Sequence, residues 1–149
     1  MELAHEFTVA VPVEQAWDVL TDVARIAPCM PGAELTEVDG GTYHGQVKVK
    51  VGPISAQYKG TASFADKHEA ARRVVLKASG RDTPGQGTAS ATVTAAMAEE
   101  AGSTTVSIVT DLSVSGRVAQ FGRGVMADVS ARLLGQFVHN LEADVLAQG

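Results

Sequence analysis

Four histidines, one cysteine, a glycine-rich stretch and two adjacent glutamates are the residues of this 149-residue chain whose types invite chemistry. His5, His44, His68 and His139 lie far apart, no two are spaced to share one helical turn, and no cysteine pair joins them, so a metal site has no support. Only His5 sits on an inward strand parity, between Leu3 and Phe7, where a structural role outweighs ligand contact. Cys29 has no histidine beside it in sequence, and a lone cysteine is ordinarily inert. Glu99 and Glu100 are neighbours at a strand end, so they point apart and suit a solvated turn. Gly80-Arg81-Asp82-Thr83-Pro84-Gly85-Gln86-Gly87 lacks the Gly-Lys-Ser/Thr ending of a phosphate loop and joins two strands instead of opening a helix. It is expected to be a mobile rim. No catalytic constellation emerges, and the expectation is a protein that is not an enzyme.

Phe121 stands apart. On a helical wheel it falls away from the main apolar stripe, close to Asp128 and His139, with Arg117, Arg123 and Arg132 around it. Cations in the first turns of a helix oppose its macrodipole. Two readings follow: ordinary surface charge with Phe121 tucked against a loop, or an exposed patch beside a cavity mouth that docks on a membrane or a partner protein.

These residues need elements to position them. Odd-numbered apolar residues Leu3, Phe7, Val9 and Val11 make a strand that Pro12 stops, and Val13, Ala16, Trp17 and Leu20 follow at helical spacing. Ala24 to Pro28 adds a second short helical turn before the bend Pro28-Cys29-Met30-Pro31-Gly32. Strands are expected over Glu34–Val38 and Thr42–Val51, joined at Asp39-Gly40-Gly41, then over Ile54–Phe64, Val74–Ala78, Thr88–Met97 and Thr104–Val114. No crossover helix separates them, so the sheet is antiparallel and the class is α+β. From Gly116 to Glu142 one long amphipathic helix is expected. At about 100° per residue, Val118, Gly122, Val125, Val129 and Leu133 share a face, while Leu134, Phe137, Leu141 and Val145 have rotated round the axis. Such a helix bends over a curved surface or serves two surfaces.

With 45% apolar and 19% charged residues, residues 1–149 are expected to form one folded domain. A net charge of −5 gives no general attraction to nucleic acid or anionic lipid. One cysteine and no charged-then-apolar leader point to a reducing cytoplasm.

Strand alternation sorts the faces. Tyr43, Gly45, Val47, Val49 and Val51 point inward, opposite His44, Gln46, Lys48 and Lys50. Inward too are Ala56, Tyr58, Gly60, Ala62 and Phe64, then Ala89, Ala91, Val93, Ala95 and Met97, then Val106, Ile108, Leu112 and Val114. Much of that face is alanine and glycine. Close packing demands that such small groups be offset by near backbones or leave a cavity, and both outcomes stay open. Gly122, Gly124 and Gly135 in the helix are expected to mark close backbone approach or flexibility. Lining candidates are Tyr43, Val47, Tyr58 and Phe64 on the first half of the sheet, and Val93, Met97 and Ile108 on the second. The helix adds Phe121, Val125, Met126, Val129, Leu133 and Phe137.

The Trp17 helix, Cys29-Met30-Pro31-Gly32-Ala33-Glu34, Lys59-Gly60 and above all Gly116-Arg117-Val118-Ala119-Gln120-Phe121-Gly122-Arg123-Gly124 carry a resemblance across nearly the whole chain. The sequence resembles the carbon monoxide dehydrogenase G-subunit family, within the START-like (SRPBCC) helix-grip superfamily. The resemblance implies a curved seven-stranded antiparallel sheet wrapped around a long C-terminal helix, two short helices after the first strand, and an internal apolar cavity for a lipid-like ligand. It further implies a non-catalytic partner of the molybdenum-containing carbon monoxide dehydrogenase complex. Such dehydrogenases are soluble while respiratory quinones sit in lipid, so the expectation is a carrier of menaquinone or a related isoprenoid quinone, with no metal of its own. Its expected place is the cytoplasm, peripherally associated with the inner face of the cell membrane. Membrane recruitment in such proteins is commonly assigned to a low-complexity C-terminal extension, and this sequence departs from that at Gly149. Docking is then expected to rely on the Phe121 patch, unless such a tail has been trimmed. An assembly or anchoring factor is the alternative, and a small enzyme on an apolar substrate the third reading; the latter needs a polar pair inside the cavity.

Overall fold

The structure, a computed structural model, describes residues 1–82 and 87–146. A strand β1 (Glu2–Val9) is followed by helices α1 (Val13–Leu20) and α2 (Val23–Ile26) and a 3-10 turn over Ala27–Cys29. Six strands come next: β2 (Ala33–Asp39), β3 (Thr42–Val51), β4 (Ile54–His68), β5 (Arg73–Asp82), β6 (Gly87–Glu100) and β7 (Ser103–Val114). They form one seven-stranded antiparallel sheet in the order β1-β7-β6-β5-β4-β3-β2. Irregularities at Leu35/Glu37 and Phe64/Asp66 add bend to β2 and β4.

Several strands outrun their expected ends. β5 and β6 pair as far as Asp82 and Gly87, so much of the expected rim is sheet; residues 83–86 lie outside the described residues. Glu99 does more than decorate a turn: its Oε1 accepts a hydrogen bond from the Val13 amide at 2.8 Å. Pro12, the residue before α1, offers no side-chain cap, and the Glu99 carboxylate supplies one from across the sheet.

The expected single helix comes in three pieces: a 3-10 turn over Arg117–Gln120, the helix α3 (Arg123–Asn140) and a wider π-type turn over Leu141–Val145. The break falls at Phe121 and Gly122, both extended, with ψ of 117° and −177°. Phe121 is half-buried against the second of two apolar clusters, and glycines at 122 and 124 hold the helix only weakly at its start.

The core divides between those clusters. One gathers Val9, Trp17, Cys29, Met97, Phe137 and Leu141 beneath α1; the other gathers Val51, Ala56, Val118, Met126 and Val129. α3 serves both, and the hand-over falls between neighbours: Leu133 packs on the second cluster and Leu134 on the first. The rotating apolar stripe therefore records two surfaces.

The glycines of α3 do not mark close approach. At Gly122, Gly124 and Gly135 a Cβ would meet nothing within 4 Å. Gly135 lies mid-helix and exposed, so Gly135→Ala is expected to stabilise the fold by about 1 kcal/mol, read as a higher urea midpoint at unchanged slope. A lower midpoint would mean that a neighbour does need that space.

Candidate functional site

The pairing register stacks the inward residues into rows. Tyr43, Ala62, Ala78, Ala91 and Leu112 form one row from β3 to β7. Gly45, Gly60, Gly80 and Ala89 form the next, and Val47, Tyr58 and Asp82 the third. The middle row has almost no side chain. A Cβ on Gly60 would overlap the Ser79 carbonyl oxygen, and one on Gly45 would stand 2.7 Å from the Glu34 carbonyl oxygen. Backbones approach there too closely for a Cβ.

Small side chains on a bent sheet leave a hollow. A cavity of about 300 Å³ is floored by the alanine and glycine rows and bounded by Leu35 of β2 and by Val23 and Ala27 in and just after α2. At one end the Tyr43 ring meets Phe64 edge-on, with centroids 6.4 Å apart; at the other, Tyr58 packs on the second cluster. Both outcomes of a small-residue face are thus present: backbones close at the glycines, and space remains above the alanines.

The Tyr58 end is polar. Asp82, 1% exposed, is the cross-strand partner of Tyr58. Its Oδ1 accepts from the Gln57 amide at 3.2 Å and its Oδ2 from Arg117 Nε at 3.3 Å. Arg117 Nη2 also donates to the Ser55 carbonyl at 2.6 Å, so the turn ahead of α3 is strapped to β4 and β5. Among the described residues the Tyr58 hydroxyl is buried without a hydrogen-bond partner. Burial pushes its pKa above 10, the Asp82 charge adds to the rise, and Arg117 opposes it.

Sequence reasoning missed this group. The alternation Val74, Leu76, Ala78, Gly80 runs on to Asp82 and places it inward, but the glycines around it read as a loop. Its partner lies 35 residues away in a segment expected to be helical.

Of the lining candidates, Tyr43, Val47 and Tyr58 border the cavity. Phe64, Met97, Ile108 and Phe137 belong to or pack on the first cluster, and Phe121, Met126, Val129 and Leu133 on the second. Val93 is half-buried on the inner face opposite Leu76, and Val125, 37% exposed, faces out. The floor comes instead from Ala62, Ala78, Ala91 and the glycines, residues too small to be singled out by size.

Phe121 is half-buried, while Arg123 and Arg132 beside it are exposed. The ring sits over the β3–β4 turn, where a Cβ on Gly52 would come 3.0 Å from Cε1. Arg123 and Arg132 donate to the carbonyls of Glu2 and Lys50 at 3.2 and 3.3 Å, so with Arg117 all three arginines fasten the last helical segment to the sheet. These contacts give cations at a helix start a structural reason. Cys29 is 2% exposed, and burial, followed by the Asp144 charge, pushes its thiol up, which disfavours the nucleophilic thiolate. Among the described residues no three metal-ligating side chains converge, and no helix is long and apolar enough to cross a membrane.

A curved antiparallel sheet around a C-terminal helix, with an apolar hollow beneath the short helices, defines a START-like protein of helix-grip architecture. Similar solved structures include a conserved protein from Geobacillus kaustophilus, with a TM-score of 0.86 at 17% identity, covering 99% of this chain and 96% of that one. The Zhui aromatase/cyclase from Streptomyces sp. R1128 has a TM-score of 0.64 at 19% identity, covering 100% and 98%. Protein Ms6760 from Mycobacterium smegmatis has a TM-score of 0.69 at 17% identity, covering 99% and 92%. At these identities the likeness concerns the fold alone. The family model of the carbon monoxide dehydrogenase G-subunit (CoxG) matches residues 6–146, and the chain belongs to that family. No curated protein matches it.

Proposed function

We propose that this protein is a non-enzymatic carrier that takes menaquinone, or a similar isoprenoid quinone, from the cytoplasmic membrane and delivers it to a molybdenum carbon monoxide dehydrogenase. The observation that carries the reading is the apolar cavity on its alanine and glycine floor, in a chain of the CoxG family. At about 300 Å³ the hollow is at the small end of ligand clefts, which run from roughly 300 to 1,000 Å³. It takes a flat bicyclic ring and the first prenyl units, and the rest of a long tail leaves through the open side. Each methylene buried returns about 0.8 kcal/mol, which offsets its removal from lipid. The protein works in the cytoplasm, peripherally at the inner face of the membrane.

The polar group beside the cavity does not favour an enzyme. Both carboxylate oxygens of Asp82 are engaged, by a backbone amide and by Arg117, and among the described residues the Tyr58 hydroxyl has no partner that could act as its base. The test is extraction of the protein from cells followed by mass spectrometry of bound lipids and titration with a short-chain menaquinone. An isoprenoid quinone in the extract and saturable binding are expected. Absence of both would overturn the carrier in favour of an assembly or anchoring factor whose cavity is incidental.

A further inference from the structure

Among the described residues two buried side-chain atoms lack a hydrogen-bond partner, His5 Nε2 and the Tyr58 hydroxyl, and only Tyr58 borders the apolar cavity. Buried hydroxyls are nearly always paired, so an orphan on a residue that lines the cavity is a group that a ligand's polar atom would satisfy, reached by a turn of the side chain because the oxygen itself is closed off from the hollow. The surroundings decide which kind of atom that is. Both oxygens of the nearby Asp82 carboxylate already accept a hydrogen bond, from the Gln57 amide and from Arg117 Nε. Burial, then the Asp82 charge, holds the phenol protonated, so it has a proton to donate.

We propose that Tyr58 anchors the head group of the carried ligand, its hydroxyl donating a hydrogen bond to a ring carbonyl oxygen. This rests on the quinone reading above and adds an orientation to it. The ring lies at the Tyr58 end, over Val47 and the glycine row. The tail runs across Ala62, Ala78 and Ala91 toward Tyr43, four residues and about 13 Å further along the strands.

Tyr58→Phe removes the hydroxyl and keeps the ring. Because that hydroxyl has no partner among the described residues, the variant is expected to melt at the same temperature as the parent or higher. Two probes are titrated into both proteins: a menaquinone with two prenyl units, and 2-methylnaphthalene bearing the same tail but no carbonyls. The quinone is expected to bind Tyr58→Phe about 5- to 10-fold more weakly than it binds the parent, with the carbonyl-free probe unchanged. The infrared carbonyl stretch of the bound quinone, lowered in the parent, should return upward in the variant. Equal quinone affinity and an unmoved carbonyl band in the two proteins would overturn the anchor while leaving the carrier intact. Failure of the parent to bind the quinone at all would overturn the carrier, and the anchor with it.

Discussion

Ala91→Phe is expected to weaken binding of a short-chain menaquinone by about 50- to 100-fold while leaving the protein folded. Ala91 stands mid-floor, between Ala78 of β5 and Leu112 of β7, in the row that faces the hollow. A benzyl group there occupies the volume that the ligand would fill. Denying a ligand roughly 100 Å² of apolar burial at about 25 cal/mol per Å² costs about 2.5 kcal/mol, which sets that fold-change. Stability moves the other way or not at all, because the new ring enters empty space. Val129→Phe is the contrast: Val129 is 7% exposed within the second cluster, away from the cavity wall, so enlarging it crowds a packed core. It is expected to destabilise by about 1–3 kcal/mol with little change in quinone affinity once folded. Titration and urea unfolding of the two variants separate the effects. Parent-like affinity in Ala91→Phe would move the ligand out of this cavity.

Much of the fold was legible because period-two alternation and glycine turns act locally. The inward set on β3, β4, β6 and β7 follows from side-chain parity, which a long strand cannot change without slipping its whole register. The rotation of the apolar stripe was legible too, and Leu133 and Leu134 mark where α3 passes from one cluster to the other. The cavity wall was harder. Size drew attention to Phe64, Met97 and Phe137, but large side chains fill the clusters, and the hollow persists where alanine and glycine cannot reach across it.

Glycine was the ambiguous letter. In and beside α3 it left close approach and flexibility open, and there is open space; at 80 it signalled a loop where there is a strand; at 45 and 60 it marks backbones in close approach. Local sequence holds no record of which neighbour a missing Cβ would strike. The same limit hid Asp82 and Arg117, which meet only after β6 and β7 have been laid down between them.

That pair supports the second large effect: Arg117→Ala is expected to cost about 3 kcal/mol of stability, at the low end for a broken buried pair because Arg117 is 35% exposed on its side chain. The loss comes less from attraction forgone than from Asp82, which stays 1% exposed with, among the described residues, only the Gln57 amide as donor. Neutralising the stranded charge should therefore restore most of it. Asp82→Asn keeps an oxygen for Gln57, and the double variant Asp82→Asn/Arg117→Ala is expected to recover to within about 1 kcal/mol of the parent. Chemical denaturation of the parent, both singles and the double closes the cycle. A cost below about 1 kcal/mol for Arg117→Ala, or a double variant no better than that single, would show that the carboxylate is not the source. The pair also bears on the ligand. Arg117 holds the turn that seats Val118 and Phe121 on the second cluster, and Tyr58 packs on the same cluster. Restoring neutrality without the strap to Ser55 returns stability but not rigidity at the polar end of the cavity, so the double variant should release quinone faster than the parent even where it unfolds at the same urea concentration.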